Sequence, residues 1–445
     1  MPQMAFRMGR DLSQLSTLTK ADQAEVLRIL PQQTMVTDEE WSAIQRYYQK
    51  NAPDELLLTE ENGARVDDTL NGFTLEQYRI GSFPLHTFTS YTDDDQSYFV
   101  GSRLSKLYRL NNKLDPTDSF PLPSPPSMIL PGKGQSLTVL LMGIMDPNDQ
   151  AAGKLIRLDL QSGQTTTLID SLKRPVHVSE ADLDRDGLKD YVICSFGNYT
   201  GNLTAFRNRG DGTFERRVLV NLPGARKTIV RDFDNNGMVD IMALMTQGDE
   251  RLILLLNQGR FEFRQRTLLT FPPVYGSSYF DLVDINGDGH DDILYTSGDN
   301  ADYSMVLKPY HGVRIFLNNG KNEFKENWFY NMHGASEAVA GDFDNDGDVD
   351  IAAVSFFPKF DQHPELGFTY FENTEDGYRP HTTPLASMGR WLRINADDID
   401  GDGDIDILLT ALDFNKGIPE GLLQSWKTKP VSILLLRNGL KEHLR

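Results

Sequence analysis

Short apolar runs separated by polar, glycine-containing breaks set the rhythm of this chain over most of its length. Thr228, Ile229 and Val230 stand before one break, and Ile241, Met242, Ala243, Leu244 and Met245 follow it. Ile351, Ala352, Ala353 and Val354 follow another, and Ile405, Asp406, Ile407, Leu408 and Leu409 a third. The runs are short, rich in β-branched residues and bounded by Gly and Asp. They leave no room for a three-turn helix and predict strands. Each leads to a second apolar run, then Asn and Gly, then a short aromatic-containing strand: 203–208 before Gly210 and Phe214, 252–257 before Gly259 and Phe261, 313–318 before Gly320 and Phe324, 368–373 before Gly377 and Tyr378, and 431–436 before Asn438 and Gly439. Asn-Gly and Asp-Gly accept positive φ and mark hairpins. The repeating unit is a four-stranded meander.

The breaks themselves carry the chemistry. Five read D-x-[DN]-x-[DN]-G-x-x-D, with starts 50, 52, 58 and 56 residues apart, so one supersecondary unit is repeated. Their positions 1, 3, 5 and 9 are Asp182, Asp184, Asp186 and Asp190; Asp232, Asp234, Asn236 and Asp240; Asp284, Asn286, Asp288 and Asp292; Asp342, Asp344, Asp346 and Asp350; and Asp398, Asp400, Asp402 and Asp406. Calcium takes six to eight hard oxygen ligands, and a tight loop must wrap the ion to supply them. The glycine at position 6 allows the turn, and position 7 (Leu188, Met238, His290, Asp348, Asp404) offers its carbonyl. Like charges so close together are unfavourable unless a cation compensates them. The pattern predicts about five Ca²⁺ ions, held best by the four-aspartate loops at 182, 342 and 398 and less well at 232 and 284. The loops are too short for EF-hands and lie between strands rather than helices.

Two upstream stretches, 81–122 and 123–172, read as degenerate units. The first turn of one is Pro131-Gly132-Lys133-Gly134, without a ligand; the Asp93-Asp94-Asp95 of the other lacks the spacing. Five regular and two degenerate units make seven blades, with six as the competing count. The chain ends one strand short in its last unit, and Asn71-Gly72 with 73–78 has the look of the missing strand, which would close the ring and leave no orphan edge. The expected fold is all-β: a seven-bladed β-propeller of four-stranded antiparallel blades with calcium-binding turns, plus a small N-terminal helical extension. Residues 1–70 form the extension and 71–445 the propeller, with 71–80 closing the last blade. Within the extension, 20–30 reads as a helix stopped by Pro31. A second helix opens on the capping box Thr37-Asp38-Glu39-Glu40 and carries Trp41, Ile44, Tyr47 and Tyr48 on one face. A helical clamp on the side or mouth of the propeller is expected.

Charge changes this picture little. The net charge is −20, and five calcium ions would leave about −10, so the acidity is mostly a ligand inventory and argues against nucleic acid. No apolar run is long enough to span a bilayer. The single Cys194 excludes an internal disulfide and reads as a buried apolar residue. Modular calcium sites fill where calcium is abundant, which places the protein in the periplasm, at the cell surface or among secreted proteins.

With Ala340-Gly341-Asp342-Phe343-Asp344-Asn345-Asp346-Gly347 and the four other loops, residues 173–445 resemble the FG-GAP/VCBS repeat family, and 81–172 do so weakly. That family includes the propeller of integrin α subunits. The resemblance implies calcium-stabilised blades in secreted or surface proteins, usually acting in adhesion or carbohydrate binding, with some related propellers acting as polysaccharide lyases or dehydratases. The motif itself specifies scaffold and metal rather than ligand. Pro2-Gln3-Met4 through Gly9, Thr37 to Trp41, Tyr47-Tyr48 and Ala52-Pro53 resemble the tail of a c-type cytochrome-like segment. The haem-attachment pattern C-x-x-C-H is absent, so Met4 and Met8 read as packing residues.

A ligand surface is expected on the face opposite calcium. The three long strand 2–3 excursions, 296–312, 355–367 and 411–430, all fall there and come from consecutive blades. They supply Tyr303, Phe356 and Trp426; the connections between blades add Arg226, His333, Glu337, Arg390 and Trp391 near the central funnel. Aromatic rings beside hydrogen-bonding groups suit a glycan or a periplasmic or extracellular protein partner. His333 with Glu337 or Arg390 leaves a polysaccharide lyase or dehydratase open, and an assembly role in a cell-envelope complex is the third reading. No Ser-His-Asp order, zinc-ligand cluster or phosphate loop is present. A binding module without catalysis is the reading this sequence favours.

Overall fold

The structure is a computed structural model describing residues 5, 8–17, 20–31, 33–51, 65–66, 70, 72–92, 96–132, 134–247, 249–299 and 306–439. Seven sheets succeed one another along the chain. Blade 1 runs from His86–Thr92 to Pro116–Pro121, blade 2 from Pro126–Pro131 to Thr165–Leu172, and blade 3 from Pro175–Ala181 to Phe214–Val220. Blade 4 spans Ala225–Arg231 to Phe263–Thr270, blade 5 Ser277–Val283 to Phe324–Asn331, and blade 6 Ala335–Gly341 to Arg379–Thr382. Blade 7 takes Trp391–Asp397, Asp406–Ala411 and Ile433–Asn438 from the C-terminal side. Its outer strand is Phe73–Tyr78, paired antiparallel to Ile433–Asn438 from Phe73↔Asn438 to Tyr78↔Ile433. Arg65–Val66 adds a short parallel strand to the edge of blade 6.

The core is distributed around the ring. Seven hydrophobic clusters each join two neighbouring blades, including the pair formed by blades 7 and 1. The second strand of blade 4 shows how. Ile241, Ala243 and Met245 pack toward blade 3, whereas Met242 and Leu244 pack toward blade 5. Both faces of that strand are buried, so its sequence is continuously apolar rather than alternating. Cys194 lies fully buried at the interface of blades 3 and 4. The seam between the first and last blades is also tied by polar groups: Thr89 and Thr410 share a hydrogen bond of 2.5 Å, and the Ser432 hydroxyl accepts the Ile80 amide at 2.9 Å.

The helices form where the caps dictate. Helix Asp38–Asn51 opens on a reciprocal capping box: Thr37 Oγ1 accepts the Glu40 amide at 3.2 Å, and the Glu40 carboxylate accepts the Thr37 amide at 2.7 Å. Of the helical extension expected to clamp the propeller, this helix contributes no buried contact among the described residues. It buries no residue and leaves Tyr47 and Tyr48 exposed. Helix Lys20–Ile29 makes the contact instead, with Val26 and Leu30 against Tyr199 of blade 3. A third helix, Glu420–Thr428, occupies the long excursion of blade 7, which the sequence reading left as irregular. Met4, Asn71, Asp93 to Asp95, Lys133 and Tyr303 lie outside the described residues.

Candidate functional site

All five acidic breaks sit between the first and second strands of blades 3 to 7, and they fold alike. Position 1 accepts the amides of positions 5 and 6 on its two oxygens. At Asp342 these bonds come from Asp346 and Gly347, both at 3.1 Å. At Asp182 they come from Asp186 at 3.1 Å and Gly187 at 2.9 Å, and the other three turns repeat the pair. The position-5 side chain then accepts the position-7 amide in every turn. Two residues per turn adopt positive φ. Position 6 is always Gly, and position 4 is Arg185, Asn235, Gly287, Asn345 or Gly401. The second of these was not read from the sequence; Asn and Gly at that place were its signal.

Position 9 has a duty of its own. Asp190, Asp240, Asp292, Asp350 and Asp406 are fully buried. One carboxylate oxygen of Asp350 accepts the Phe343 amide at 3.1 Å and the other the Asn373 amide at 2.7 Å. The same two bonds recur in the other four blades. These aspartates therefore lock strand 3 to the turn through their own hydrogen bonds, and the oxygen that accepts only the strand-3 amide keeps a second lone pair for a cation. The strand-end asparagines explain the repeat's Asn. Asn257 donates to the Val239 carbonyl of its own turn at 2.9 Å and to the Leu183 carbonyl of the preceding blade at 2.8 Å.

Several observations fit these turns to a divalent cation. Ligand oxygens of three carboxylates come within 4.8 Å of one another in the turns at Asp182, Asp232, Asp342 and Asp398. In the turn at Asp284, Asn286 replaces one carboxylate. Asp184 Oδ1 and Asp348 Oδ1 are buried with no hydrogen-bond partner, and a cation or an ordered water would satisfy them. Burial, reinforced by Asp346 and Asp342, pushes the Asp344 carboxyl up to about 6. Burial with adjacent aspartates does the same to Asp190 and Asp350, both at about 6. Asp, Asn and carbonyl oxygens make a hard donor set of the kind calcium takes.

On the opposite face, two of the rings expected to meet a ligand, Trp391 and Trp426, are core residues. Trp391 is fully buried and donates its indole N–H to the Ala386 carbonyl at 2.7 Å. Trp426 is 2 % exposed and donates to the Ser387 carbonyl. Arg390 is fully buried; its Nε donates to the Phe356 carbonyl at 2.7 Å, and Nη1 donates to the Phe414 and Lys416 carbonyls. Its guanidinium carbon lies 4.3 to 5.3 Å from the ring centres of Phe356, Phe357, Phe360 and Phe414. Trp391, Trp426 and Arg390 hold their loops together and offer no face to a glycan. Aromatic residues in insertions serve either purpose, and here burial decides. Phe356 remains partly exposed. His333 stacks on His311 at 5.3 Å, and burial pushes it down to about 4. Its expected partners are engaged elsewhere, Arg390 as above and Glu337 with Arg393.

Along the innermost strands lies a set of side chains that sequence motifs only partly announced. In all seven blades the innermost strand has a bulge just before its third residue. Those residues are Phe88, Met128, His177, Lys227, Tyr279, Glu337 and Arg393. Lys227 Nζ lies 2.6 Å from the Tyr279 hydroxyl and 3.3 Å from the Asp281 carboxylate. Arg393 Nε lies 3.2 Å from Glu337, and Arg226 donates Nε–H to the Ser278 carbonyl at 2.9 Å. Burial pushes the Lys227 ammonium down and the Glu337 carboxyl up, and their charges oppose both shifts. The arc contains three cationic and two anionic groups, so it carries a small positive excess in an acidic protein.

A family profile described as the FG-GAP-like repeat matches residues 232–295 and 297–353, which hold the acidic turns at Asp232, Asp284 and Asp342. No curated protein matches the chain significantly. Among solved structures, the Neurospora crassa Pan2 WD40 domain is similar with TM-score 0.51 at 11 % identity, over 84 % of this chain and 97 % of that one. The Myceliophteria thermophila Cps50 (Swd1) β-propeller domain gives TM-score 0.48 at 10 % identity, over 82 % and 99 %. At such identity the first likeness speaks to the fold alone. With seven meander blades around one channel and the repeat in consecutive blades, this chain is a seven-bladed β-propeller carrying FG-GAP-like repeats.

Proposed function

We propose that this propeller, residues 71–445 with a helical extension at 1–70, is a calcium-stabilised binding module without catalysis. It works outside the cytosol and takes a glycan or protein partner on the face opposite the acidic turns. The observation that carries the calcium reading is the sameness of the five turns together with the orphaned, buried oxygens of Asp184 and Asp348. When bound, calcium would supply the positive charge these carboxylates lack. The residues to hold it are the aspartates and asparagines at positions 1, 3, 5 and 9, with the position-7 carbonyl. Such modular sites fill at the calcium levels found outside cells, which supports the location.

The binding surface is the channel mouth rather than the buried tryptophans. Arg226 and Arg393 offer donors there and Asp281 accepts, the buried Glu337 and the largely buried Lys227 hold Arg393 and Asp281 in place, and Phe356 gives a partly exposed ring. Elemental analysis after extensive dialysis, with melting curves in calcium and in chelator, tests the first half. Bound calcium and a lower melting temperature in chelator are expected, since ligands restricted to the folded state stabilise it by RT ln(1 + [L]/Kd) per site. Absence of calcium, or superimposed curves after verified removal, would overturn it. A glycan array and a pulldown from envelope extract, each with wild type and the Arg226→Gln/Arg393→Gln variant, test the second half. Binding lost in the variant supports the channel mouth. Binding kept in the variant, or turnover of a bound polysaccharide, refutes the proposal.

A further inference from the structure

The five turns differ electrically because of one position outside the motif. The residue just before the strand-end asparagine is Arg207 in blade 3, Leu256 in blade 4, Leu317 in blade 5, Glu372 in blade 6 and Arg437 in blade 7. Arg207 reaches the turn of its own blade. Its Nη2 makes an ion pair with Asp184 and lies 3.7 Å from Asp186, so it faces positions 3 and 5 together. Arg437 also reaches its turn, 2.6 Å from Asp400, but Glu76 of the closing strand holds its other edge at 2.8 Å and offsets its charge. In blade 6 the same position is acidic: Glu372 is 2.8 Å from His381. The carboxylates of the Asp342 turn have no basic partner among the described residues.

We propose that Arg207 is a resident counter-cation that lowers the calcium affinity of the Asp182 turn, so that the Asp342 turn fills first. The inference rests on reading the acidic turns as calcium sites, and it reorders the ranking by carboxylate count, which treats the two turns as equal. A guanidinium near two ligand side chains repels an incoming divalent ion. Even with effective screening close to that of water, a separation of about 5 Å makes this repulsion worth roughly tenfold or more in affinity. Arg207 is about one-third exposed, so it can swing toward solvent when a metal arrives, at the expense of its pairing with Asp184. An arginine that merely oriented Asp184 as a ligand would act with the opposite sign. The pair leaves Asp184 Oδ1 without a hydrogen-bond partner, so the turn keeps a ligand oxygen and is weakened rather than abolished.

Crystals equilibrated at graded calcium concentrations, read by anomalous difference density at each turn, test this. In the wild type, density at the Asp342 turn is expected at about tenfold lower calcium than at the Asp182 turn. Arg207→Gln should bring the two together, while Arg437→Gln should move the Asp398 turn less. A solution measurement stands beside it: Arg207→Gln should lower the melting temperature in chelator and enlarge the increase on adding calcium. Equal filling of the two turns in the wild type, or a higher calcium requirement at Asp182 in the variant, would overturn the counter-cation role and leave the calcium reading intact. No density at any turn would overturn the calcium reading itself.

Discussion

Asn438 donates its side-chain amide to the carbonyl of Phe343 at 2.7 Å, across 95 positions of chain and from one blade into the acidic turn of the blade before. Asn257 does the same to Leu183. In these two pairs of blades the hairpin asparagine of one repeat thus helps hold the acidic turn of its neighbour. Asn257 is fully buried and its amide group also bonds Val239 and Gly259. Asn257→Ala should destabilise the protein by about 2–3 kcal/mol, because it leaves buried carbonyls without donors. Denaturant unfolding in calcium measures this. An unchanged midpoint would show that the inter-blade bond is dispensable.

Substitutions at positions 3 and 9 of one turn should differ in how they depend on the metal. Asp350 accepts the Phe343 and Asn373 amides and the Tyr370 hydroxyl. Asp350→Asn would set an amide donor against one of those donors, and should destabilise by about 1–3 kcal/mol with calcium or with chelator. Asp344 accepts only the Asp346 amide of its own turn, at 3.2 Å, and is raised by burial and like charge. Asp344→Asn should lower the melting temperature in calcium but leave it equal or higher in chelator, where it relieves repulsion. Melting curves of the two variants under both conditions decide; parallel responses would remove the distinction.

Much of this was legible from local pattern. Asp182 to Asp190 and its four copies, with Asn208 to Phe214 and its copies, fixed the meander and the blade count, because turn chemistry is a property of a few adjacent residues. The closing strand could be read because an unpaired strand edge is unfavourable and 73–78 had no other partner. Burial was harder. Trp391 and Trp426 stand in polar-flanked connections, and only neighbours distant in sequence, such as Phe360 beside Trp426 at 5.8 Å, make them core. Helix Glu420–Thr428 was missed because its start at Pro419 has no side-chain cap to announce it. Arg207 looks like any strand-end arginine until the turn is folded beneath it.

Arg390 should behave as a structural residue. Its guanidinium is enclosed by four phenylalanine rings and bonded to three carbonyls, and burial pushes it down to about 9. Arg390→Met keeps much of the volume but leaves those carbonyls without donors, and should destabilise by about 2–4 kcal/mol. Thermal unfolding measures the loss, and binding per folded molecule should not change. A variant as stable as the wild type that had lost its ligand would return Arg390 to the binding surface.

Glu250 should give the protein a pH dependence separate from the acidic turns. It lies 3 % exposed in the strand 2–3 connection of blade 4, where its carboxylate accepts the Ser277 amide at 2.8 Å and hydroxyl at 2.7 Å. Burial pushes its carboxyl from 4.5 up to about 7, and the Ser277 bonds limit the rise. A carboxyl raised on folding binds its proton more tightly in the native state. Its stabilising contribution is therefore fully present below about pH 4.5 and is lost as pH rises to about 7, a change of at most roughly 3 kcal/mol. Glu250→Gln holds that group neutral throughout. Denaturant unfolding of wild type and variant between pH 5 and pH 8, in saturating calcium, isolates the effect as the difference between the two curves. The variant should gain stability relative to the wild type toward pH 8. A difference that stays constant across the range would mean that Glu250 is already ionised in the fold at pH 5.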